Sequence, residues 1–135
     1  MRLAKTGALL LGTLMLIPAA SVAGKARAYG VHCPVGALVL PVNGVDQAGK
    51  AALGAAGSAY PGLNTKGAKL VSAKRATVAG PRGVELGGEC GAKARARTVV
   101  VELRFPRMVP SASLSEGIVD VARFAWGYRV WAVVH

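Results

Sequence analysis

Nine residues near the middle of the chain, RTVVVELRF at 97–105, do most to restrict the fold. Val99, Val101, Leu103 and Phe105 alternate with Thr98, Val100, Glu102 and Arg104, so one face of an extended segment is apolar and the other mostly polar. Period-two alternation of β-branched and aromatic residues predicts a half-buried strand, and its apolar face requires a cover. The convincing candidate is VDQAGKAALGAAGSAY, 45–60, where Val45, Ala48, Ala52, Ala55, Ala56 and Ala59 fall near one side at helical spacing. Asn43 stands three positions before Asp46, resembling a capping pair, and Pro61-Gly62 ends the run. Gly49, Gly54 and Gly57 make it a poor helix in isolation. It needs a sheet to lie on, and its small face permits close approach.

Further strands are predicted on either side. GAKLVSAKRATVA, 67–79, reads as a strand ending in the turn Gly80-Pro81-Arg82-Gly83, followed by a glycine-rich loop through Gly87, Gly88 and Cys90. After the breaks at Pro106 and Pro110, SLSEGIVDVARFAW (113–126) and YRVWAVV (128–134) form a closing hairpin. With its turn at Trp126-Gly127, Ala125 faces Tyr128, Arg123 faces Val130, Val121 faces Ala132 and Val119 faces Val134. That face covers the helix, leaving Ile118, Asp120, Ala122, Phe124, Arg129, Trp131, Val133 and His135 on the other. A one-residue slip would exchange the two sets. One helix followed by sequential antiparallel strands implies an α+β domain, a helix packed on a curved antiparallel sheet of about four strands.

Location is legible at the N-terminus. Arg2 and Lys5 precede an apolar run from Ala8 to Ile17, then Pro18 and small residues, the layout of a secretory signal peptide. Cleavage fits after Ala23 or after Ala28, which assigns 1–28 to the signal and 29–135 to a single small domain. The apolar run is short of the roughly 20 residues of a membrane-spanning helix, so no span is expected after cleavage. The formal charge of +11 falls to +9 or +7, depending on the site cut. Such a basic chain favours anionic surfaces such as envelope polymers, although charge alone does not choose a partner. In an oxidising compartment Cys33 and Cys90 are expected to pair, closing a loop worth roughly 4 kcal/mol in the chain-entropy model.

The order of elements resembles the cystatins. Gly36-Ala37 precedes the helix, the strand after it ends LVSAKRATVAG with Val78-Ala79-Gly80 as a Val-x-Gly loop, and Trp126 sits in the last hairpin turn. The resemblance runs over most of residues 34–135. In that family a glycine segment, a Gln-x-Val-x-Gly loop and a Trp hairpin form a wedge that enters the cleft of papain-like cysteine proteases. It implies a partner-binding role for Gly36, Val78, Ala79, Gly80 and Trp126. Ala76 stands where the family has Gln, and Pro81 follows directly where the family continues its strand. A bridge between Cys33 and Cys90 also departs from the family's C-terminal disulfides. Through Cys90-Gly91, RTVVVELRFP, SASLS and GYRVWAVVH, the C-terminal part is also similar to small uncharacterised exported proteins of high-GC actinobacteria.

Catalytic chemistry finds little support, and no catalytic residue is assigned. Asp120 is the best acid–base candidate, lying diagonal to His135 in the hairpin register, but a sheet-surface carboxylate paired with Arg129 or His135 explains it as well. His32 is badly placed to activate Cys33, because adjacent residues of an extended chain point apart. Two histidines and two paired cysteines make no metal site, and SASLS and GGECG match neither a nucleophile elbow nor a phosphate loop, so no cofactor is expected. Lys93, Arg95 and Arg97 share one side at strand spacing and could bind a polyanion; the competing reading is a solvated basic end. Export argues against nucleic acid. The expectation is a non-catalytic binding or structural domain whose partner is a protein or an anionic envelope polymer.

Overall fold

A computed structural model describes residues 32–108 and 115–134. The predicted signal segment, most of SASLS and His135 lie outside these. Helix α1 spans Gly44–Ala59, strand β1 Lys69–Arg75, helix α2 Pro81–Ala96, and strands β2, β3 and β4 Thr98–Arg104, Glu116–Phe124 and Gly127–Val134. The strands form one antiparallel sheet in the order β1-β2-β3-β4. The α+β class and the four-stranded sheet are as the sequence predicts.

The first face of the sheet carries α1. Ala48, Ala52 and Ala56, spaced four apart, are buried against Val99, Val101, Leu103, Val119 and Val121. The close approach expected of a small-residue helix is visible at Gly49, where an added Cβ would come within 3.1 Å of the Leu70 side chain. Asp46 lies in the first turn, where a negative charge suits the helix dipole, but Asn43 makes no side-chain cap. At the other end buried Tyr60 packs edge-on to Phe105, their ring centroids 5.0 Å apart, and donates its hydroxyl to the Ile118 carbonyl at 3.0 Å. Burial pushes that hydroxyl up to about 12, against the pull of the Ile118 bond, so it stays a donor.

Three local expectations are corrected. Residues 81–96, expected as turn and loop, form α2. Gly80 occupies its N-cap and Pro81 its first turn, a favourable place for proline, with Lys93 and Arg95 in the last turn. A Cβ on Gly83 would lie 1.8 Å from the Thr77 carbonyl oxygen, so glycine is what lets the helix start this close to the strand it follows. The closing hairpin turns one residue earlier than expected: Phe124 pairs with Gly127 and Arg123 with Tyr128 across a two-residue turn, Ala125-Trp126. Finally, the register shifts between Asp120 and Val121, leaving Trp131 as the extra residue on β4. Tyr128, Val130 and Val133 therefore pack toward α1, while Ala132 and Val134 pair with Asp120 and Ile118 on the second face.

Candidate functional site

One end of the sheet collects the segments singled out in the sequence. β1 finishes there at Arg75, paired with Val99, and β3 finishes there at Phe124, where the β3–β4 turn begins. The chain before α1 crosses this end from β3 to β1. The Leu38 amide donates to the Arg123 carbonyl at 2.7 Å, and the Arg123 guanidinium to the Val39 carbonyl at 3.2 Å. Arg75 donates to the Pro41 carbonyl at 2.8 Å. Val78-Ala79-Gly80 follows the end of β1, which is separated from β3 by the single strand β2.

Four apolar side chains are exposed at this end. Trp126 is 69% exposed and Val78 68%, and Val39 and Val42 on the crossing segment are also open. Trp126 stacks on Phe124 with ring centroids 5.3 Å apart, which holds the indole in place while leaving most of it outside. Single exposed apolar residues are ordinary, but four of them stand on segments that meet at this one end of the sheet. Gly36, exposed with φ +80°, belongs to the start of the crossing segment. Sequence reasoning found Gly36, Val78 and Trp126 but missed Val39 and Val42, whose signal was the run Ala37–Val42 of apolar residues ahead of a helix. Val78-Ala79-Gly80 leads into α2 and not into a second strand, so it is a strand-to-helix connection, unlike a hairpin loop.

The second face carries a different constellation. Asp120 is fully buried beneath α2, and its Oδ2 accepts from Arg82 Nε at 2.9 Å and from Arg82 Nη2. Arg82 also pairs with Glu85 at 2.7 Å. Asp120 is thus a buried ion-pair partner of α2, which corrects the expected surface pairing with Arg129 or His135. Its Oδ1 and the Trp131 Nε1 are buried with no partner among the described residues. Burial raises the Asp120 pKa, opposed by Arg82 and assisted by the charges of Glu85 and Glu89. A raised native value means that its contribution to stability is full below the unfolded value near 3.9 and is lost as pH rises through the native one. Wild type should therefore lose stability relative to Asp120→Asn as pH rises above the unfolded value, measured as denaturant midpoints over a pH series.

Cys33 and Cys90 form a disulfide that ties the start of the crossing segment to α2, with Cα atoms 5.4 Å apart. Lys93 and Arg97 lie on one side of the last helical turn and, with both cysteines, line a surface cavity of about 300 Å³. Arg97 donates to the Ala37 carbonyl. Arg95 instead folds back over Gly87. The expected run of three cations on one strand face is therefore corrected to a helical pair at the disulfide and a third residue turned away.

Among the described residues no His, Cys, Asp and Glu group could hold a metal ion, and no helix is long and apolar enough to cross a membrane. Comparison with protein-family models, with curated proteins and with solved structures finds no match.

Proposed function

We propose that this is an exported, non-catalytic binding domain that engages a protein partner through the sheet end formed by Val39, Val42, Val78 and Trp126. The observation that carries the reading is the exposure of four apolar side chains on adjoining segments, braced from behind by Arg75, Arg123 and Phe124. Large aromatic anchors on a rigid support are the usual energetic centre of a protein interface. A photoreactive benzoylphenylalanine placed at Trp126, and separately at Val71 near the far end of β1, tests it on the envelope fraction of exporting cells. Adducts of one defined mass should form from position 126 and not from 71. Equal labelling from both would remove the reading.

A second reading is inhibition of papain-type cysteine proteases, favoured by the presence of Gly36, Val78-Ala79-Gly80 and Trp126 on segments that reach the same end. Ala76 in place of glutamine and the helix directly after Gly80 stand against a close match to that wedge. Titration of papain with micromolar protein is decisive: lost protease activity, restored by Trp126→Ala, supports it, and undiminished activity excludes it.

A further inference from the structure

α2 is the element least able to stand alone. It holds Gly83, Gly87, Gly88 and Gly91, and glycine is the weakest helix former after proline. Gly91, at φ +84° and ψ 169°, interrupts it. Its buried residues are Gly83 and Leu86, whereas α1 buries five positions against the main core. What holds α2 is the Arg82–Asp120 ion pair at one end and the Cys33–Cys90 bridge toward the other.

That bridge sits where a thiol can reach it. Cys33 is exposed, and both cysteines line the surface cavity that Lys93 and Arg97 border. Thiol–disulfide exchange proceeds by thiolate attack and is faster when the departing sulfur is a better leaving group. Neighbouring cations stabilise both the incoming and the departing thiolate. We infer that Cys33–Cys90 is an exchangeable disulfide and that its reduction releases α2 as a latch from the second face of the sheet, while α1 and the strands stay folded. A dithiol reductant attacks Cys33 and forms a mixed disulfide, and Cys90 leaves as a thiolate beside Lys93. The reductant's second thiol then displaces Cys33. The dithiol becomes the disulfide, giving up two electrons, and Cys33 and Cys90 end as thiols.

Amide hydrogen exchange of the mature protein, with and without dithiothreitol in native buffer, tests this. Oxidised protein should show protected α2 amides. After reduction, residues 81–96 should exchange at least a hundredfold faster than β2 and β3, which remain protected. Lys93→Gln should slow reduction several-fold without changing the oxidised exchange pattern. Equal protection of α2 and the strands after reduction, or simultaneous loss in every element, would overturn the proposal. So would a reduction rate no faster than global unfolding, or one unchanged by Lys93→Gln.

Discussion

Arg82→Ala is expected to lower unfolding free energy by about 3–5 kcal/mol, the cost of leaving a buried charge without its partner. Asp120 has no exposed surface and no cation other than Arg82 hydrogen-bonded to it among the described residues, so the carboxylate cannot relax toward water. Asp120→Asn should cost less, about 1–3 kcal/mol. Arg82 keeps 14% of its side-chain surface and its existing pairing with the carboxylate of Glu85. The double substitution should recover part of the Arg82→Ala loss, and that loss should shrink as pH falls and Asp120 takes up a proton. Denaturant titration of the four chains gives the complete cycle. Equal costs for the two single changes would contradict this account of the pair.

Replacing both cysteines, as Cys33→Ser/Cys90→Ser, is the second large effect. The bridge closes a sequence separation of 57 residues, for which the chain-entropy model gives about 4 kcal/mol. The closed loop contains α1 and β1, so the loss falls on global stability, and thermal unfolding should show it as a large drop in Tm. The folded chain should nevertheless keep its α1 and sheet packing, because neither cysteine belongs to the cluster of Ala48, Ala52, Ala56, Val99, Val101, Leu103, Val119 and Val121. A loss well under 1 kcal/mol would mean that the unfolded chain is already restricted in that region.

The parts of this fold that were legible are those where burial and local pattern agree. Val99, Val101, Leu103 and Phe105 alternate strictly and are all fully buried, and the alanine ridge of α1 repeats at four. α2 was hidden because its four glycines imitate a loop. Its boundary signals, Pro81 after Gly80 at the start and Lys93 and Arg95 in the last turn, were present but outweighed by composition. The hairpin was missed twice over: its turn falls on Ala125-Trp126 although glycine at 127 suggested Trp126-Gly127, and the bulge at Trp131 leaves no mark on an alternation that is apolar on both faces. Asp120 was misread for the same reason that Arg82 was missed: their pairing depends on a helix whose existence the glycines concealed. The exposed sheet end was half legible, since Trp126 lies in the predicted hairpin turn and the family resemblance singled out Val78 at the end of the predicted strand. The crossing segment that adds Val39 and Val42 is placed by hydrogen bonds to Arg75 and Arg123, contacts between positions 34 to 85 residues apart.

The measurement closest to the central claim is retention of fluorescently labelled mature protein on the envelope fraction of exporting cells, competed by unlabelled wild type or by Val78→Asp/Trp126→Ala. Both changed side chains lie outside the core, so the variant should unfold within about 1 kcal/mol of wild type. Wild type should displace the label, and the variant should need at least ten times the concentration to do so. Equal displacement by the two would contradict a binding surface at the Trp126 end of the sheet.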